Sequence, residues 1–289
     1  MKQRLAWLAS LSTFGEKPMK LRKMFASFAL LLALVAWAQN AHCITNGSLD
    51  NNRHPNVGTI VAEYLAPGVK DQACTGTLIS PTVFLTAGHC VYLLQNVFGV
   101  TQVWVTFDSV FSKDAPNLYS GTMHLNPLFP GRGASDPEDL GLIVLDSAVV
   151  GITPATLPPL GLLDRMFADG SLTDALFTIV GYGSTDTVFG GGAPDAMQGK
   201  GTRRFATSGF QALNTYWLRL KMNTNFGFGG GSRGDSGSPN FFGASGNETN
   251  IIAAVNIGGD PWGIEQDVAY RLDTPEARTF LQQFPVFLP

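Results

Sequence analysis

The sequence predicts an all-β protein that ends in one short helix. Three observations carry this. Glycine (33 residues) and proline (17) are plentiful and spread along the 289-residue chain, as many turns between short strands require. The apolar runs are short, rich in Val, Ile, Phe and Thr, and bounded by Gly, Pro, Asn or Asp. No long segment of 3.6-residue period separates them, which argues against βαβ units. Hydrophobic residues make up 45% of the chain and charged residues 14%, enough apolar material for a sizeable core.

The expected strands are Val57–Ala66, Thr75–Ile79, Val83–Thr86, Val100–Phe107, Leu140–Leu145, Leu176–Gly181, Trp217–Met222, Ile251–Ile257 and Val268–Leu272. The helix is announced by Thr274-Pro275-Glu276: a capping hydroxyl, a proline at the first helical position and an acid in the first turn. Ala277, Phe280, Leu281 and Phe284 follow at helical spacing, and Pro285 stops it. Thr153–Gly161 reads as a connector between two halves. The glycine-dense stretches Phe189–Gly201 and Asn225–Arg233 read as surface loops.

The N-terminus is set apart. Lys20, Arg22 and Lys23 precede the uncharged apolar run Met24–Ala38, the pattern of a secretory leader. That run is short for a bilayer, which takes roughly 20 residues. Small residues at Ala41 and Cys43 fit a cleavage after Cys43, which would make residues 1–43 the leader and Ile44 the new N-terminus. A competing cut after Ala38 would leave Gln39 first. Residues 44–289 hold 13 Lys/Arg and 21 Asp/Glu, a net charge of −8. Such a domain is a poor partner for phosphate backbones or anionic lipid. Neither nucleic-acid binding nor stable membrane insertion after leader removal is expected. The expected product is a secreted monomer.

Three cysteines are present, Cys43, Cys74 and Cys90. The odd one out is Cys43, at the leader boundary, and Cys74 and Cys90 flank two strand-like runs that they could staple. The four histidines are scattered with no paired cysteines nearby, so no metal and no cofactor are expected.

Three segments carry chemistry. In Gly234-Asp235-Ser236-Gly237-Ser238-Pro239 a serine lies between glycines, where small neighbours admit a substrate carbonyl and let backbone N–H groups converge on one point. In Thr86-Ala87-Gly88-His89-Cys90 small residues precede a histidine that a disulfide could fix. In Asp139-Leu140-Gly141-Leu142-Ile143-Val144-Leu145 an aspartate opens an apolar strand. A buried carboxylate needs donors, and an imidazole N–H is one. Asp136, Glu138 and Asp146 read instead as solvated acids.

These motifs, in the order His89, Asp139, Ser236, resemble the trypsin/chymotrypsin family from about Ile44 to the C-terminal helix. The resemblance implies two six-stranded antiparallel β-barrels, roughly residues 44–160 and 161–289, with a cleft between them. It implies a serine endopeptidase acting on protein or peptide substrates, with Ser236 as nucleophile, His89 as base and Asp139 orienting it. The N–H groups of Gly234 and Ser236 would form the oxyanion hole. Cys74–Cys90 matches the family's disulfide beside the histidine. Val180-Gly181-Tyr182-Gly183 is similar to its Gly-Trp-Gly segment. Ile44-Thr45-Asn46-Gly47 resembles the family's activated N-terminus, whose amine would pair with Asp235.

Some positions depart from the family. Gly230 stands where an acid selects basic substrates, and Ser232 replaces a bracing cysteine, which predicts a more mobile Gly229–Ser232 loop. Asp267, with Gly258 on the facing wall, falls where the pocket is lined. It could attract a basic side chain, or it could start a strand and face solvent. Two other readings share the fold: a catalytically inactive binding protein and a secreted esterase. An α/β-hydrolase is disfavoured, because its nucleophile precedes its histidine in the chain.

Overall fold

The computed structural model describes residues 44–114, 117–131, 137–184, 200–259 and 265–289. The leader expected at 1–43, its cleavage point and most of the loop 189–201 lie outside these residues. Among the described residues the chain forms 13 strands and three short α-helices. The strands are β1 (Ser48–Leu49), β2 (Val57–Ala66), β3 (Val69–Ser80), β4 (Val83–Thr86), β5 (Val103–Thr106), β6 (Tyr119–Leu125), β7 (Gly141–Leu145), β8 (Leu176–Gly181), β9 (Arg204–Leu213), β10 (Trp217–Lys221), β11 (Pro239–Phe242), β12 (Ile252–Gly259) and β13 (Gln266–Arg271). The helices are α1 (Gly88–Tyr92), α2 (Leu162–Ala168) and α3 (Pro275–Leu281).

The strands make two closed antiparallel barrels. The first runs β2-β3-β4-β7-β6-β5 and closes on itself. The second runs β9-β10-β13-β12-β11-β8 and closes through the β8–β9 pairing. Numbered within each barrel, both have the order 1-2-3-6-5-4. Closure gives each of these strands two neighbours. Inward residues such as Ile60, Leu78, Phe84 and Leu142 in the first barrel are fully or almost fully buried, as are Phe177, Leu218 and Leu220 in the second. Burying each such side chain is worth about 1.5–3 kcal/mol.

The ends of the chain strap the barrels together. The N-terminal segment precedes the first barrel but lies on the second: β1 pairs with β9, and Thr45 bridges Gly230. The tail after α3 returns to the first barrel, where the Phe284 ring meets His124 of β6 edge-on at 5.1 Å. The Thr274 hydroxyl caps α3 by accepting the Ala277 N–H at 3.2 Å, as the sequence predicts. The helix ends at Leu281, earlier than Pro285 would require.

Helix α2 was not expected, since the sequence shows a connector with no capping side chain. Its N-terminal residue, Gly161, has φ +67° and offers none. The cap comes from far along the chain: Asp273 accepts the Leu163 N–H at 2.8 Å, and Arg271 pairs with Asp164 at 2.8 Å.

A buried charged cluster holds the N-terminal strap. Arg203 is 1% exposed and binds Asp50 at 2.8 Å, the Asn52 side chain at 2.7 Å, and the carbonyls of Val57 and Phe107 at 2.8 and 2.9 Å. His54 donates one ring N–H to Asp50 and the other to Glu248 at 2.6 Å. Its ring stacks on Phe241, while Arg53 lies over Phe205 and reaches Glu248 at 3.4 Å. Burial opposes the imidazolium, but the bonds to Asp50 and Glu248 outweigh it and raise the His54 pKa. Burial likewise opposes the Asp50 and Glu248 carboxylates. His54 bonds to both and, with the Arg203 and Arg53 charges, lowers their pKa values.

The pH dependence therefore has a definite sign. The His54 contribution to stability is complete below about pH 6.5 and is lost as pH rises through its elevated folded value. Those of Asp50 and Glu248 are complete above about pH 4 and are lost as pH falls through their depressed folded values. His54→Gln is expected to lose roughly 3 kcal/mol in denaturant unfolding near pH 6. The loss should shrink above the imidazole range, and a cost independent of pH would contradict the charged assignment.

Candidate active site

The site lies where α1, the turn before β7 and the loop before β11 meet. His89 stands in the first turn of α1, which follows β4 after the single extended residue Ala87. Gly88 is required there by close approach: a β-carbon would come within 2.9 Å of both the N and O of Leu140 and 3.1 Å of the Asp139 carboxylate. The Cys74–Cys90 disulfide ties β3 to α1 across a Cα–Cα distance of 6.3 Å, immediately beside the histidine.

Asp139 is fully buried and both its oxygens face His89. One accepts the His89 backbone N–H at 2.7 Å and the other the ring Nδ1–H at 2.8 Å. This two-point grip fixes the position of the imidazole and the tautomer that carries its proton on Nδ1, leaving Nε2 as the basic nitrogen. The ring itself is 14% exposed.

Ser236 sits opposite, in a loop whose peptide groups are mostly tied down. The Ser236 carbonyl accepts the Thr75 N–H at 2.9 Å, and the Asp235 N–H donates to Ser232 at 3.0 Å. The Gly237 N–H donates to Asn256 at 2.8 Å. The N–H groups of Gly234 and Ser236 have no acceptor among the described residues. Gly234 has φ +97°, a conformation that favours glycine. Among the described residues the Ser236 hydroxyl has no hydrogen-bond partner, His89 included. Such contacts often tighten only when substrate is bound.

Asp235 is wholly buried. It accepts N–H groups from Gly183 at 2.8 Å and Ser232 at 2.9 Å, with the Ser232 hydroxyl at 3.1 Å. No Lys, Arg or His among the described residues forms an ion pair with it. Burial dominates over these donors and pushes its carboxyl up to about 6. The Ile44 side chain is also fully buried, against Ile179 and Ala206.

Residues 52–270 of this two-barrel chain match a family model, Trypsin. The chain belongs to the trypsin family. Among solved structures, that of HL collagenase at 1.7 Å resolution is similar, with a TM-score of 0.60 and 16% sequence identity over 83% of this chain and 97% of that one. At that identity the likeness bears on the fold alone. No curated protein matches the chain in sequence.

Two expectations need correction in this trypsin-family site. The Ser232 loop is braced, because its hydroxyl lies 2.5 Å from the Ser184 carbonyl and also contacts Asp235. Glu138 is not solvated. It is 7% exposed at φ +65°, and Asn126 donates to its carboxylate at 2.9 Å and to its carbonyl at 3.2 Å. Asp146, by contrast, is exposed.

Asp267 is 1% exposed, which excludes a solvent-facing start to its strand. It accepts the Gly231 N–H at 2.6 Å, and a β-carbon at Gly230 would collide with its carboxylate. Gly258, on β12, pairs with Val268 beside it.

Three groups were missed by sequence reasoning: Thr75, the Asn126–Glu138 bracket behind Asp139, and the Arg203 cluster. Each depends on a hydrogen bond between residues more than ten positions apart, so no local pattern marks it.

The elevated Asp235 pKa gives a test in the chain that retains residues upstream of Ile44. A carboxyl raised on folding adds stability below its ordinary value near 3.8, and this is lost as pH rises through about 6. The full difference is about 3 kcal/mol at 1.36 kcal/mol per pKa unit. Unfolding followed between these pH values should show that decline, and Asp235→Asn should flatten it.

Proposed function

We propose that this trypsin-family protein is a secreted serine endopeptidase working through His89, Asp139 and Ser236. The observation that carries the reading is the pair of hydrogen bonds that His89 donates to Asp139, at 2.7 and 2.8 Å, beside a serine loop with two N–H groups that find no acceptor among the described residues. Secretion is supported by the leader-like N-terminus and the Cys74–Cys90 disulfide, which belongs in an oxidising compartment. No described helix is long and apolar enough to cross a membrane.

In this reading the substrate carbonyl sits over Ser236 with its oxygen between the N–H groups of Gly234 and Ser236. The Ser236 oxygen attacks while His89 Nε2 takes its proton, and Asp139 stabilises the imidazolium. The two amides hold the negative oxygen of the tetrahedral intermediate. The intermediate collapses, His89 protonates the leaving amine, and water later releases the acyl group by the same steps.

Asp267 is proposed to select the substrate. A buried carboxylate against Gly230 and Gly231 offers a counter-charge to a Lys or Arg side chain entering along those glycines. The amine of Ile44 is proposed to switch the enzyme on. The Ile44 side chain is already buried, and Asp235 is a buried carboxylate without an ion-pair partner among the described residues. An ammonium freed by leader removal would supply one.

Ser236→Ala should lower peptide turnover by roughly 10⁶-fold and abolish labelling by a fluorophosphonate. An unchanged rate would end the protease reading. Profiling with a peptide library should show cleavage after Lys or Arg, and Asp267→Gly should lower that kcat/KM by about a hundredfold relative to Leu. Cleavage after Phe or Leu alone would remove Asp267 from the pocket. N-terminal sequencing of secreted material should begin at Ile44, and a start at Gln39 would refute direct exposure.

A further inference from the structure

We propose that Thr75, in the first barrel, is a positioning residue for the oxyanion hole of the second. Its hydroxyl holds Gly234 in the backbone conformation that turns the Gly234 N–H into the cleft. The inference rests on the serine-protease reading above.

Thr75 is fully buried in β3 and uses every polar atom it has. Its hydroxyl donates to the Gly234 carbonyl at 3.0 Å and accepts the Tyr182 N–H at 3.1 Å. Its own N–H donates to the Ser236 carbonyl at 2.9 Å, and its carbonyl accepts the Thr86 hydroxyl at 2.7 Å. One residue therefore binds the nucleophile loop at two points. It also binds the strand that leads into His89.

Glycine is the residue least able to hold its own conformation, since positive and negative φ cost it about the same. At Gly234 an outside contact must choose φ +97°. Rotation about φ swings the carbonyl relative to the N–H of the same residue, so a grip on the carbonyl is a grip on φ. Among the described residues the Thr75 hydroxyl is the only donor to that carbonyl. The grip is itself anchored. Thr75 follows Cys74, which is bonded to Cys90 beside His89. The Tyr182 amide that steadies the hydroxyl precedes Gly183, whose N–H holds Asp235. The base and the oxyanion donors are thus registered through the same residue, its hydroxyl on one side and its backbone on the other.

The test compares Thr75→Val and Thr75→Ala, which lose the hydroxyl, with Thr75→Ser, which keeps it. Each is measured on a peptide that the wild type cleaves, with active sites counted by fluorophosphonate labelling taken to completion. Per active site, kcat of the Val and Ala variants should fall about 10- to 100-fold, less than or near the loss of a whole oxyanion donor. KM should stay within about twofold. Affinity for a peptide boronate, which forms a tetrahedral adduct on serine, should fall by the same factor as kcat. The Ser variant should lie within about threefold of wild type on both readouts.

The proposal is overturned if folded Val or Ala variants keep wild-type kcat, if the loss appears in KM alone, or if Ser is as impaired as Val. It is equally overturned if neither Val nor Ala folds, because the hydroxyl would then be structural. A wild-type protein that neither turns over nor takes the label would sink the protease reading instead.

Discussion

His89 and Asp139 come from the first barrel and Ser236 from the second, so the geometry of the site depends on directed bonds that cross between two separately closed sheets. Barrel closure gives every barrel strand two neighbours in its own barrel, which leaves little ladder with which one barrel could bind the other. Apolar contact alone is non-directional and sets a distance only loosely. The crossing bonds supply what it lacks: Thr75 to Gly234 and Ser236, Gln72 to the Tyr182 carbonyl at 3.0 Å, and Arg203 to carbonyls of the first barrel. The straps add reach. Residues before the first barrel pair with the second, and the tail of the second packs on the first.

Buried charge is distributed unevenly along this seam. Asp139 is matched by His89, and Asp50 by both Arg203 and His54. At Asp50 the desolvation cost is offset by hydrogen bonds to charged partners, and breaking one from one side is expensive. Asp235 has no ion-pair partner among the described residues; it is held by amides and a hydroxyl and is correspondingly hard to ionise. An incompletely matched carboxylate directly before Ser236 makes the loop sensitive to whatever charge reaches it. That is a natural place for control by the N-terminal segment, whose Ile44 is buried against the same barrel.

The strands legible in the sequence were those with unbroken β-branched or aromatic runs, and three of them, β2, β4 and β8, have the observed limits. Those missed had their signal diluted. In β6, Gly121 and His124 interrupt the alternation, and Gly121 is there because a side chain would strike Ile143 and Val144. In β9, Gly209 lies against the Phe228 ring. Strand β11 opens on Pro239, so it read as the end of the serine motif. Helix α2 is capped by Asp273, 110 residues away, and no window along the chain contains that signal.

The sequence by itself determined the chemistry on offer: the all-β class, the capped terminal helix, the disulfide beside a histidine, and the three motifs that point to an imidazole, a carboxylate and a hydroxyl. These are carried by short strings, and local propensity and residue type suffice to read them. The tertiary structure decided which groups meet and in what state. It buried Asp267 instead of exposing it, raised Asp235, lowered Asp50, and made Thr75 a bridge between barrels. Those outcomes depend on burial and on partners far apart in the chain, and a linear pattern records neither.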